Sequence, residues 1–457
     1  MSPTEPKSPS GLRGRRYLLV TLGCFRNEVE SDLLRGALRR LGLGETERIE
    51  EADVALVMTC GFIAEACDEG IDTIIELGEI AASVPAPPPV IVLGCMSQRY
   101  GAELAREMPE ISAALGSDWA PDLEAALEAV LHGDRFAAPA RAPRMSTLAR
   151  EVDSSEGAQL YLRASDGCDR ACRFCAIPKI RGPHTSRPLA DIIEETARLC
   201  RGREREVILL AQDLTSYGAD LDPETDLAML VREVARIEGA HWVRMLYLQP
   251  QGVTERLIET VAAEPAVADY FDVPFQHVSS HVLKAMGRSG SADEHLDLIE
   301  RIRSRIPDAA IRSTLMVGYP GENDGDFAEL LEFVREARLD WLGAFVFSPE
   351  EGTAAASLPG KVAAELALSR YNELVEAQDA QEAMCAGAMS GRELEVVVEA
   401  LCEIPGYDLV GRSYREAPVV DGFIYLKTTP GGKQARAGEF VTARITGQEG
   451  LDLVGEI

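Results

Sequence analysis

The chain of 457 residues carries 46 Lys and Arg against 75 Asp and Glu, a formal charge of −29. Hydrophobic residues at 46% and charged residues at 26% are the proportions of folded protein and exclude a largely disordered chain. So acidic a balance disfavours non-specific adhesion to phosphate backbones, which takes clustered Lys and Arg, and eases the approach of a basic partner.

Residues 1–16, MSPTEPKSPSGLRGRR, lack an apolar h-region and read as a disordered tail rather than a secretory signal. No apolar run approaches the ~20 residues that span a bilayer, so a cytoplasmic protein without membrane contact is expected. Ten cysteines in a reducing compartment pack as small hydrophobes or bind something, rather than forming disulfides. Residues 17–131 alternate strand-length runs, YLLVTL, VALVMT and VIVLG, with helical patterns such as SDLLRGALRRLG. That alternation predicts an α/β layer built on a parallel sheet. Residues 132–157 lack periodicity and read as an interdomain linker. Over 158–388, six further strand-like runs (YLRAS, VILLAQ, WVRMLYL, YFDVPF, IRSTLMVG, WLGAFVFS) are separated by helical patterns. Six β/α units predict a barrel-like parallel sheet, partly open, with its chemistry at the carboxyl ends of the strands. Residues 389–457 change to short strands between Gly and Pro turns, which predicts a small all-β barrel. From Gly391 onward this segment holds 7 basic and 11 acidic residues, so it too is acidic.

Cysteine positions carry the strongest chemical signal. Cys168, Cys172 and Cys175 form C-x3-C-x2-C directly after the first strand of the central segment. That spacing lets one tight loop aim three thiolates at one centre and leaves a coordination position open. Packing cysteines, or a zinc site completed by His184, are the alternatives; placement at a barrel mouth favours iron and sulfur. Cys24, Cys60 and Cys95 each sit just past a predicted strand, at intervals of 36 and 35 residues, about one βαβ unit. Loops after adjacent parallel strands converge on one crevice, which argues against three separately buried thiols. Cys67, Cys200, Cys385 and Cys402 fall inside helical or strand runs and read as core residues.

C-x3-C-x2-C with Phe174 before its last Cys resembles the radical S-adenosylmethionine (SAM) superfamily, a resemblance that implies Phe174 as a cofactor contact. The resemblance implies a 4Fe–4S cluster on Cys168, Cys172 and Cys175 whose fourth iron binds the amino and carboxylate groups of SAM. One-electron reduction would then cleave SAM to methionine and a 5′-deoxyadenosyl radical. TLGCFRNEVESD, CGFIAEAC, VLGCMSQRY, GCDRACRFCAIPKIRGPHTSRP, AQDLTSYG, PFQHVSSHVLKAMGR, LMVGYPGE and FSPEEGTAA together resemble the methylthiotransferase family over nearly the whole chain. The carboxyl-terminal segment is similar to a TRAM-like β-barrel. This resemblance implies a second 4Fe–4S cluster, on Cys24, Cys60 and Cys95, involved in sulfur delivery. Members modify either a tRNA adenosine or an aspartate of ribosomal protein S-twelve. GRSYREAPVVDG (411–422) looks like the ribosomal-protein branch, and the acidic terminal segment, expected to present the substrate, agrees with it. Two departures from the family pattern stand out, Phe25-Arg26 after Cys24 and Met286-Gly287-Arg288. Neither is expected to touch a cluster ligand.

By the same resemblance, Gln212 and Asp213 lie where the ribose and amino group of SAM would be, although Asp213 is also placed to cap the next helix. Gln276 and His277, ending the fourth barrel strand, read as SAM or substrate contacts or as ordinary hydrogen-bonding groups. Gly318, with Gly321, either lets backbone approach the adenine or shapes a turn. Alternation leaves the facing of Arg312 undecided. No side chain beyond the cluster ligands is assigned to catalysis. The expected activity is insertion of a methylthio group at the β-carbon of an aspartyl residue of ribosomal protein S-twelve, free or in the small subunit. One SAM would give the methyl group and another the radical, with flavodoxin or ferredoxin as electron donor and a separate sulfur donor. Methylthiolation of a tRNA adenosine is the runner-up. A redox or iron-sensing carrier is the reading from another class, and it would form no 5′-deoxyadenosine.

Overall fold

Aliphatic runs of strand length build the first sheet. In chain order come β1 (Arg16–Thr21), α1 (Phe25–Leu41), β2 (Gly44–Glu45), β3 (Val54–Thr59) and α2 (Ala64–Ala82). β4 (Val90–Gly94), α3 (Cys95–Glu107), β5 (Ile111–Leu115), α4 (Leu123–Leu131) and β6 (Phe136–Ala137) follow. All pairings are parallel, in the order β2-β1-β3-β4-β5-β6. β3 and β4 are buried along their whole length, as unbroken apolar strands covered on both faces must be. Leu34, Leu38, Trp119 and Leu127 belong to one of the sheet's two core clusters, and Val57, Ile74, Val92 and Met96 to the other.

The structure, a computed structural model, describes residues 11–139, 141–142, 145, 150, 157–429 and 434–457. Two boundary expectations change. Leu12 is buried in the first core cluster and β1 begins at Arg16, so packed residues fall within the stretch expected to be a tail; residues 1–10 lie outside the described residues. The expected linker contributes β6, and the Arg135 guanidinium donates to the carbonyls of Ala105, Met108 and Ile111. A two-residue strand carries no readable period, which is why it was missed. Most of the remaining linker falls outside the described residues.

The central segment opens with β7 (Gln159–Arg163), β8 (Ser165–Asp166), α5 (Ile177–Arg181), β9 (Thr185–Ser186) and α6 (Leu189–Cys200). It continues with β10 (Arg205–Leu210), α7 (Leu227–Ala235), β11 (Ala240–Met245), α8 (Glu255–Ala263), β12 (Tyr270–Asp272), α9 (Ser280–Ala285) and α10 (Ala292–Arg305). β13 (Ala310–Val317), α11 (Asp324–Ala337), β14 (Trp341–Val346) and α12 (Ala364–Gly387) complete it. Six parallel strands form two halves, β11-β10-β7 and β12-β13-β14, bridged from Val243 to Val267; this is the expected partly open barrel. Side chains start its helices cleanly: Asp226, Thr254 and Ser291 each accept a backbone N–H of the following turn, and Asn323 with Asp326 forms a capping box.

β15 (Glu393–Leu401), β16 (Leu409–Arg412), β17 (Ile424–Lys427), β18 (Phe440–Glu449) and β19 (Asp452–Glu456) close a five-stranded barrel in the order β15-β16-β17-β19-β18. Val396, Val398, Ile424, Leu426 and Ile445 fill it. The motif GRSYREAPVVDG does not lie on its open surface. Arg412, Ser413, Arg415, Glu416 and Ala417 are buried, and they join this barrel to the amino-terminal ends of the larger barrel's strands. Arg412 meets Glu206 at 2.7 Å, Glu206 meets Arg244 at 2.6 Å, and Arg415 meets Asp340 at 2.9 Å. Arg312 turns toward Asp272 and Asp421, both at 3.1 Å, and the Tyr270 hydroxyl donates to Asp421. The motif that resembles the ribosomal-protein branch is therefore largely buried, within a terminal segment expected to present the substrate. It is a buried joint at the end of the barrel opposite the carboxyl ends of the strands, and only Val419 and Val420 within it are well exposed.

The described residues form two compact units. One is the amino-terminal sheet together with Asp166–Arg170 and Cys175–Thr185; the other holds Ala171–Phe174, both barrels and the remainder. No helix among the described residues is long and apolar enough to cross a membrane.

Candidate functional site

In the first unit, Cys24, Cys60 and Cys95 directly follow or nearly follow β1, β3 and β4, three neighbouring parallel strands. Their loops are in contact. A Cβ on Gly23 would lie 2.6 Å from Cys60 Cβ, and one on Gly61 would lie 2.5 Å from the Met96 nitrogen and 2.7 Å from the Cys95 carbonyl carbon. Only glycine permits those approaches. Burial pushes the Cys60 thiol up to about 12, and the neighbouring thiols of Cys95, Cys24 and Cys67 push the same way. A buried thiol such as Cys60, which resists ionisation by itself, suits a metal, because a bound cation takes the place of the proton. Cys67 was expected to be a core residue. It does pack beside the sheet, yet it is also one of the groups acting on Cys60.

Ala176 and Ile180, from the stretch that follows Cys175, pack against Cys95. Arg181, at the end of the same short helix, donates from Nη2 to Cys95 Sγ at 3.1 Å and from Nη1 to Glu30 Oε1 at 3.4 Å. The Trp119 indole N–H donates to the other Glu30 oxygen at 3.3 Å. Arg26 pairs with Asp166 at 2.7 Å. Cys168 is held in a turn: its N–H donates to the Gly182 carbonyl, and the Arg170 N–H points at its sulfur at 3.4 Å.

Cys172 belongs to the second unit. Arg288 Nη1 donates to Cys172 Sγ at 3.7 Å, while Nη2 donates to Gln249 Oε1 and the Pro274 carbonyl. The Met286-Gly287-Arg288 departure therefore does touch a predicted cluster ligand, against expectation. The Arg173 N–H donates to the Met286 carbonyl, and Phe174 packs into a cluster with Leu283, Met286 and Tyr319, so Phe174 anchors the cysteine loop by packing. Among the described residues no group of three or more His, Cys, Asp or Glu is placed to hold a single metal ion. The irons of a polynuclear cluster instead take separate thiolates.

The other expected site residues divide by behaviour. Gln212, just past β10, has both amide atoms buried and without hydrogen-bond partners among the described residues. Such an amide fits a polar ligand at the carboxyl end of the barrel. Asp213 accepts the hydroxyls of Thr215 and Ser216 and shapes the turn after β10, but its side chain accepts no backbone N–H of that turn as a helix cap would. His277 is fully buried; its Nδ1 accepts the Ser279 N–H, and its Nε2 lies 3.6 Å from Glu322. Glu322 in turn accepts the Gly318 N–H at 2.9 Å and Arg370 at 2.7 Å, so Glu322 supports the glycine loop, while His277 Nε2 makes no hydrogen bond among the described residues. Gln276 has φ +70° while its backbone bonds to Thr314 and Met316, and Tyr247, at the end of the adjacent strand, has φ +64°. Two non-glycine residues in the left-handed region at neighbouring strand ends are held backbone strain of the kind that clusters at functional sites. No sequence signal marks Tyr247; the Arg-Gly after the cysteine loop was noted as part of a motif, without a role for Arg181.

Residues 162–334 match the radical SAM superfamily, residues 16–116 the uncharacterised protein family UPF0004, and residues 391–457 the TRAM domain. The chain is 42% identical over 445 residues to the ribosomal protein uS12 methylthiotransferase RimO of Moorella thermoacetica, covering 97% of this chain and 99% of that one. To the protein of the same name from Symbiobacterium thermophilum it is 39% identical, covering 99% and 94%. The radical SAM methyltransferase TsrM of Kitasatospora setae, solved with cobalamin and a 4Fe–4S cluster, superposes with a TM-score of 0.56 at 16% identity over 73% of this chain and 75% of that one. That likeness is one of fold alone.

Proposed function

We propose that this chain, which belongs to the RimO family of ribosomal protein uS12 methylthiotransferases, inserts a methylthio group at the β-carbon of an aspartyl residue of uS12. The observation that carries the reading is identity of 36–42% over nearly the full length of relatives bearing that name, through all three matched regions. Cys168, Cys172 and Cys175 would hold the cluster that binds SAM, and Cys24, Cys60 and Cys95 a second 4Fe–4S cluster. Bound there, these groups supply a one-electron route to a carbon radical, a methyl group and a sulfur atom.

The chain's own residues bind, orient and exclude water. Gln212 offers a buried donor and acceptor to polar atoms of SAM. Glu322, braced by Arg370, fixes the Gly318 backbone N–H and with it the shape of the loop after β13. Arg288 lays a fixed positive charge against Cys172. Phe174 keeps the cysteine loop seated by its apolar contacts. The modules would run over residues 17–131, 158–388 and 389–457. With no disulfide among its ten cysteines, the chain suits the reducing cytoplasm. An electron donor such as flavodoxin or ferredoxin and a sulfur donor complete its partners, and uS12 would be taken free or in the small subunit.

Methylthiolation of a tRNA adenosine is disfavoured by the acidic carboxyl-terminal barrel, since RNA-reading surfaces are basic. The test is a competition assay offering uS12 and tRNA together to reconstituted protein with SAM, sulfide and reductant. The methylthio group is expected on a uS12 aspartate. Its appearance on tRNA with uS12 unmodified overturns the assignment, and a cluster-loaded protein that forms neither 5′-deoxyadenosine nor any methylthiolated product would favour a mere redox role.

A further inference from the structure

Arg181 is 4% exposed, in a unit where a buried guanidinium must be compensated. Its contact with Glu30, at 3.4 Å, is long for a charge-assisted pair, whereas its 3.1 Å approach to Cys95 Sγ is close for an N–H group on sulfur. Ile180 and Ala176 pack on Cys95 and shield that approach from water. A guanidinium stays protonated in proteins, and Glu30 faces it as a buried counter-charge. The arginine therefore presents a permanent, desolvated cation to one sulfur of the amino-terminal thiol set.

We propose that Arg181 is a positioning residue that, with Glu30 opposing it, sets the reduction potential of the amino-terminal cluster. The proposal rests on the reading that Cys24, Cys60 and Cys95 hold a cluster. A thiolate that accepts a charged hydrogen bond passes less negative charge to its iron, so the reduced state, one electron more negative, is favoured. Glu30 works the other way: it draws the guanidinium toward itself and adds a buried negative charge. The pair thus acts as a counterweighted setting on one cluster, independent of the groups around Cys172.

The test uses the full chain with Cys168→Ala, Cys172→Ala and Cys175→Ala, which leaves the amino-terminal set alone, reconstituted with iron and sulfide. Iron content and an EPR-monitored potential titration are compared with and without Arg181→Gln, Arg181→Lys and Glu30→Gln. Expected are ~4 irons per chain, as one cubane holds, a midpoint shifted downward by Arg181→Gln, shifted upward by Glu30→Gln and near the parent for Arg181→Lys. A merely structural role would not give opposite signs. Full iron with unmoved midpoints, or midpoints moved in the same direction by both charge-removing variants, overturns the proposal. Should Arg181→Gln lose iron, Glu30→Gln decides: an upward shift supports the proposal, and no shift or a downward one overturns it. A parent variant that binds no iron overturns the second-cluster reading, and the proposal falls with it.

Discussion

Gln212 is a side chain that costs stability until something binds it. A buried amide with no partner costs about 1–3 kcal/mol, and both of its polar atoms are in that state. Gln212→Leu is therefore expected to raise the thermal midpoint of the ligand-free chain while weakening SAM binding by about tenfold, about 1.4 kcal/mol; calorimetry on the two states reads both signs. Glu382 on α12 is the second case. It accepts the Leu342 N–H on β14 and the Gln378 amide. Burial raises its carboxyl to about 7, with the hydrogen bonds pulling the other way and Asp379 and Asp421 adding to the rise. Because the folded chain then holds this proton more tightly than the unfolded chain, its contribution is full below pH ~4.5 and is lost as pH rises toward ~7, up to about 3 kcal/mol in all. Glu382→Gln is expected to stabilise the protein at pH 8 and to leave it unchanged at pH 4.5, as denaturant midpoints at the two pH values would show.

At the scale of elements, the joint between the two barrels is the most heavily charged buried region of the second unit. Glu206 lies between Arg412 and Arg244 with all three side chains fully buried, and burial alone would raise its carboxyl, yet the two guanidinium groups hold it below its usual range. Removing one member leaves uncompensated charge. Arg412→Ala is expected to cost about 3–5 kcal/mol, and the triple change Arg412→Met, Glu206→Met and Arg244→Met, which leaves no member of the triad charged, much less; urea denaturation of the parent and the two variants checks the order. Strands, helices and cysteine loops were legible because a strand followed by a turn and a Cys is a local pattern. The joint was not. Arg412 and Glu206 are 206 residues apart, and GRSYREAPVVDG, with four charged side chains, has the composition of a surface loop. Arg181 was hidden for the same reason, since Cys95 lies 86 residues before it. Tyr247 and Gln276 were hidden differently: a left-handed backbone at a non-glycine residue leaves no trace in composition.

At the scale of the whole molecule, the charge of −29 governs encounter rather than chemistry. A basic protein substrate is steered toward such a chain, and at ~0.15 M salt the field reaches only about 8 Å. Raising ionic strength is therefore expected to lower kcat/KM for uS12 several-fold with little change in kcat; initial rates across a salt series decide it, and a flat series would remove steering from the account. The first unit has a further property that only its path through the chain reveals. It is finished by Asp166–Arg170 and Cys175–Thr185, beyond the linker that ends its sheet. A chain leaving the ribosome at ~5–20 residues per second makes the 35 residues from 150 to 185 in roughly two to seven seconds. For that interval Cys24, Cys60 and Cys95 exist without the arginine and the apolar cover that later close over Cys95. The stretch of chain that supplies this cover also carries Cys168 and Cys175, so in the order of synthesis the older thiol set is completed only as the younger one is made.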